Sequence, residues 1–64
     1  MGTVIEPLLR AREVATILGV SARSVFRLAG LTPGHPDRLP AIRIGARVLF
    51  HPEDVASYVE AHRG

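Results

Sequence analysis

The sequence predicts a small α+β domain, mainly α, made of two short helices, a β-hairpin and a closing helix. Three observations carry this. Apolar residues recur at helical spacing over Ala11–Leu18 and again over Ala22–Ala29, with Gly19 between them. Ile42-Arg43-Ile44 and Val48-Leu49-Phe50 are short β-prone runs joined through Gly45, Ala46 and Arg47. Pro52, Glu53 and Asp54 then open a third helical segment that runs to about His62.

Each element has a local reason. Residues 1–8 are expected to form a flexible arm, and residues 9–64 the folded domain. In the first helix Val14, Ile17 and Leu18 are expected on one face. Glu13 suits its positive end, and Leu9 and Val14 are spaced as a hydrophobic staple. Gly19 serves as a left-handed stop, and Ser21 as the N-cap of the next helix. Val25, Leu28 and Ala29 face inward there. Gly30 is expected to end that helix in a Schellman-type turn, with Leu31 folding back on Phe26. Thr32–Pro40 holds three of the five prolines and reads as a loop. In the hairpin a two-residue turn would put Arg47 on the face of Ile42 and Ile44. A three-residue turn would gather Ile42, Ile44, Val48 and Phe50, and burial favours it. In the last helix Val55, Tyr58, Val59 and His62 form one stripe. The expected core is Ile42, Ile44, Val48 and Phe50 on Val14, Ile17, Leu28, Val55 and Val59.

Composition narrows the function. A chain of 64 residues holds one domain, and with no cysteine it has neither disulfides nor a thiolate zinc site. His35, His51 and His62 match no metal-ligand spacing. No serine–histidine–acid set or phosphate loop is present, and so small a core leaves little room for a catalytic pocket. The expectation is therefore no enzyme, no metal, no cofactor and no small-molecule ligand. Apolar runs are too short to span a membrane, and residues 1–7 lack signal-peptide character, so a cytoplasmic location is expected.

Charge is more telling than its net value of +2. Every basic side chain is arginine. Arg10 to Phe50 carries seven arginines against Glu13 and Asp37, a net +5, while residues 51–64 carry Arg63 against Glu53, Asp54 and Glu60, a net −2. A basic body of this kind suits a nucleic-acid partner. The spacing agrees. Ala15 is small where two helices would touch, Gly19 follows four residues later, and Val14, Leu18, Val20, Val25 and Leu28 can fill the wedge. This is the helix-turn-helix pattern. The second helix then offers Ser21, Ala22, Arg23, Ser24 and Arg27 outward. Arg23 and Arg27 repel each other at i, i+4, and Arg10 and Arg12 oppose the first helix's dipole. Two unfavourable placements of the same sign point to an external anion. Phe26 either meets base and sugar edges or seals the helix end. Arg47 at the hairpin tip, supported by Arg43, is placed for the minor groove of double-stranded DNA.

The stretches LLRAREVATILGVSARSVFRL and LPAIRIGARVLFHPEDVASYV resemble the excisionase-type winged helix-turn-helix family of the MerR-like superfamily, over Leu8 to Val59. The resemblance implies a small winged helix-turn-helix that binds DNA through its second helix and its wing. By position, Ser21, Ala22, Arg23, Phe26 and Arg27 would face the major groove, and Gly45, Ala46 and Arg47 would form the wing. The chain departs from the family at Arg10, where Ser or Thr often caps the helix, at Ala22, where a basic residue is common, and in its long 30–39 link. Members act as recombination directionality factors or as small transcriptional regulators. The short chain, with no long dimerisation helix after its third helix, favours the first, with further copies head to tail on bent DNA and an integrase as partner. The other function class is a protein-interaction adaptor without DNA contact, which a salt-dependent gel shift distinguishes.

Overall fold

The computed structural model describes residues 7–63, so the expected arm lies almost wholly outside it. The elements are β1 (Leu9–Arg10), α1 (Ala11–Leu18), α2 (Ala22–Ala29), β2 (Ile42–Ile44), β3 (Arg47–Phe50) and α3 (Pro52–Ala61). Three helices and a three-stranded antiparallel sheet of order β1-β3-β2 make an α+β, mainly α, winged helix-turn-helix.

α1 starts at Ala11 because the Arg10 N–H donates to Glu13 Oε1 at 2.9 Å, the carboxylate half of a capping box. The guanidinium has no acceptor with which to complete the other half. Gly19 ends α1 at φ 73° and ψ 31°, donating to the Ala15 carbonyl at 2.8 Å. Ser21 caps α2, its Oγ accepting from the Ser24 N–H at 3.1 Å. Gly30 differs from expectation. Its φ of −89° is not left-handed, and no Schellman turn forms. Its N–H donates to the Phe26 and Arg27 carbonyls, while the Leu28 carbonyl is taken by the N–H of Leu31 and of Leu39 as the loop returns.

The core is smaller than the sequence suggests. Val14, Val25, Leu39 and Phe50 are fully buried, joined by Ala11, Ala15 and Val55. Ile17 (55% exposed), Ile44 (53%) and Val59 (42%) lie outside it, correcting three expected core positions, and Val20 (43%), expected in the wedge between the helices, is exposed too. The cause is the small side of α1. Ala11, Val14 and Ala15 share a face at i, i+3, i+4, and the two alanines allow close approach of neighbouring elements. Leu9, Leu18, Leu28 and Val48 pack around this cluster half-buried.

The hairpin register is the other correction. Ile42 pairs with Leu49, Arg43 with Val48 and Ile44 with Arg47, leaving a two-residue turn of Gly45 and Ala46. Arg47 thus shares a face with Ile44. Gly45 has φ +60° and Ala46 does not, the arrangement of a II′ turn, whose twist matches that of paired strands. Leu39, from the loop, is fully buried in the core, from which Ile44 is left out. β1 was also unforeseen. Leu9 pairs with Phe50 and Arg10 with Leu49, so the start of the domain closes the sheet.

Thr32–Pro40 is a loop, as expected, and is tied down. Pro33 and Gly34 (φ +91°) make a turn in which His35 N–H donates to the Thr32 carbonyl at 2.9 Å. Arg38 Nε donates to the Leu31 carbonyl at 3.1 Å. α3 is held to this loop by Tyr58, whose hydroxyl donates to the Asp37 carbonyl at 3.1 Å. Partial burial, then the Asp37 charge, push the Tyr58 phenol up, so it stays a donor. His62 stacks on the Tyr58 ring at 4.1 Å. Its Nδ1 lies 2.9 Å from the Tyr58 carbonyl oxygen and its Nε2 lies 3.1 Å from Asp37 Oδ1.

Two predictions follow from these contacts. A Cβ on Gly19 meets nothing within 4 Å, so Gly19→Val is opposed by its backbone angle alone. It should destabilise the domain by about 2 kcal/mol in urea unfolding, and Gly19→Asn by much less. His62 faces two acceptors, and only the imidazolium donates to both, so its pKa is raised, first by the Tyr58 carbonyl and then by Asp37. That stabilisation is complete below the ordinary histidine value of 6.5 and is lost as pH rises through the raised one. Melting temperature should therefore fall over that window, and His62→Gln should abolish the dependence.

Candidate nucleic-acid interface

Strand pairing assigns the arginines to two faces of the sheet. Side chains opposite one another share a face, and successive ones alternate. Arg47, Leu49 and Arg10 therefore lie on one face, and Arg43, Val48 and Phe50 on the other. β1 covers only Leu49 and Phe50, so the outer part of β3 stands clear of it and faces the start of α1 and the exposed side of α2.

Between them runs an open groove of about 580 Å³. Arg10, Arg12 and Arg47 line it, with Ala22 and Phe26 from α2, Ala46 from the wing tip, and Ala11, Glu13, Val48 and Leu49. A second, smaller groove of about 200 Å³ lies on the other side of Phe26. It is lined by Arg38, Arg43, Ala29, Gly30, Ala41 and Val48. The fold thus brings Arg10, Arg12, Ala22, Phe26, Ala46 and Arg47 together, and places Arg43 just across Phe26. Arg23 and Arg27 line neither groove and are exposed on α2. Ser21 and Ser24 are engaged with each other at the helix start, Oγ to Oγ 3.1 Å. Gly45 makes the turn and lines nothing.

The electrostatics are one-sided. The ion pairs among the described residues are His62–Asp37 and Arg63–Glu60, both at the α3 end. Arg10, Arg12, Arg23, Arg27, Arg43 and Arg47 pair with no carboxylate there. Among the described residues Glu13 is the one acid in the groove, and its carboxylate accepts from the Arg10 N–H. Sequence reasoning missed Arg38, Val48 and Leu49 as lining residues. Their placement depends on the loop path and the strand pairings, which have no short-range signal.

Among the described residues no group of three histidines or acids could hold a metal, and no helix is long and apolar enough to cross a membrane. A family model described as a helix-turn-helix domain matches residues 8–63. The chain belongs to this family, which is one of DNA-binding domains and typically non-enzymatic, and its function class is sequence-specific DNA binding. Searches of curated proteins and of solved structures return no match.

The unpaired arginines make clean probes. Because no ion pair of theirs is present among the described residues, Arg47→Ala and Arg43→Ala should each change the unfolding free energy by less than about 0.5 kcal/mol. Arg23→Ala should raise it by a few tenths of a kcal/mol, as the repulsion from Arg27 disappears. Chemical denaturation of the three variants checks this.

Proposed function

We propose that this protein is an excisionase-type DNA-binding protein that occupies attachment-site DNA in several copies, bends it and biases an integrase towards excision. The observation that carries DNA contact is the groove between α2 and the wing, lined by Arg10, Arg12 and Arg47 without a carboxylate partner among the described residues. In this reading Arg23 and Arg27 enter the major groove with Ser21, Ala22, Ser24 and Phe26. The wing tip, Gly45, Ala46 and Arg47, enters the adjacent minor groove. Arg10, Arg12 and Arg43 hold phosphates.

The excisionase role rests on the resemblance of the LPAIRIGAR wing and the PEDV helix start to that family. One helix and one wing cover about 600–1,000 Å² of protein surface, which is thin for locating a single genomic site. Several copies in a head-to-tail row add specificity, because such a contact is heterologous and extends along the duplex. Charge supports this: Glu53, Asp54 and Glu60 of one copy can meet Arg10, Arg12 or Arg38 of the next.

With about four to six phosphate contacts per copy, log K against log salt should have a slope of about −4 to −5. Arg23→Ala or Arg27→Ala should cost about 1–3 kcal/mol on the specific site if the side chain reads a base, and weaken all sequences alike if it holds phosphate. A flat salt response would remove DNA binding. Titration on one, two and four tandem sites, with circular permutation to detect bending, tests the array. An integrase-dependent excision assay tests the role. Independent filling of straight DNA, or no effect on excision, would leave a small transcriptional regulator of the same fold.

A further inference from the structure

We infer that α2 reads the C5-methyl group of a pyrimidine in the major groove, and that Phe26, helped by Ala22, is the residue that reads it. The inference rests on the DNA-binding reading above and specifies what that surface selects.

The chain has two phenylalanines, with opposite fates. Phe50 is fully buried, whereas Phe26 is 51% exposed and forms the ridge between the two grooves. Ala22 precedes it by one helical turn, so the two side chains share a face, and both line the groove that holds Arg10, Arg12 and Arg47. Arginines thus rim an apolar floor. Guanidinium groups at the rim suit phosphates, but Ala22 and Phe26 offer neither donor nor acceptor. A polar base edge pressed against them would lose its hydrogen bonds to water without replacement. Of the four bases, only thymine presents an apolar group in the major groove, its C5-methyl. Arg23 and Arg27, one position further on, carry the donors that suit guanine. The helix therefore sets a cationic stripe beside an apolar one. Val48 lines both grooves as well, so the inner side of Phe26 also helps join α2 to the wing. That structural role affects stability and leaves the methyl preference to the exposed side.

The experiment first selects a binding site from a random duplex pool, then replaces its thymines one at a time by deoxyuridine, which removes only the methyl. Binding should fall about fourfold at one or two positions, the change expected for one buried methyl. At such a position 5-methylcytosine should bind more tightly than cytosine by a similar factor. Phe26→Ala should lose both preferences and Phe26→Leu should keep them, with circular dichroism confirming that each is folded. Sequence-specific binding in which no thymine-to-uracil change is felt would overturn the inference while leaving DNA binding intact. So would full discrimination by Phe26→Ala. Failure to bind any duplex with salt dependence would instead overturn both.

Discussion

Val14 against Val25 is the contact on which the rest of this molecule depends. Both side chains are fully buried, one on each side of the turn made by Gly19. A left-handed residue at Gly19 turns the chain from α1 into α2, and Val14, Ala15 and Val25 share one buried cluster between the two helices. Phe50, Leu39 and Val55 then close on the same point from the sheet, the loop and α3. Seven buried side chains among the described residues are a small core, and a domain of this size has little stability to spare. Gly19 is thus a single backbone angle with wide consequences.

Around that core, charge is distributed against local stability. Arg23 and Arg27 repel on α2, and Arg10 and Arg12 sit where the α1 dipole disfavours cations. Among the described residues Glu13 lies beside them but accepts from the Arg10 N–H, while Asp37 is bound to His62 and Glu60 to Arg63. Placing cations where nothing internal neutralises them is a departure from local consistency of the kind functional surfaces show. Away from these cations, α3 is joined to its loop through Tyr58, His62 and Asp37.

The hairpin register links architecture to the site. Pairing Ile44 with Arg47 leaves Ile44 half exposed. It also sets Arg47 on the same sheet face as Arg10, with Leu49 between them, and so assembles the cationic groove beside α2. Turn geometry prevails over apolar burial because Gly45, at positive φ, makes the two-residue connection easy.

The three helices, their Gly19 and Ser21 boundaries and the existence of the hairpin were legible in the sequence. Periodicity, capping and positive-φ glycine are local properties, each set within a few residues. Arg10, Arg12, Ala22, Phe26, Ala46 and Arg47 were named from the sequence among twelve candidate contacts on three elements, but their grouping along one groove, apart from Arg23 and Arg27, came from the fold. Three other things were decided only in the tertiary structure. β1 exists because Phe50 and Leu49 lie beside Leu9 and Arg10, some forty residues away in sequence. Leu39 is core, and Ile17, Ile44 and Val59 surface, because burial depends on how the elements pack in three dimensions and not on local apolar pattern alone. The register and the sheet face of Arg47 depended on that outcome, since alternation along a strand says which residues share a face but not which face meets the core.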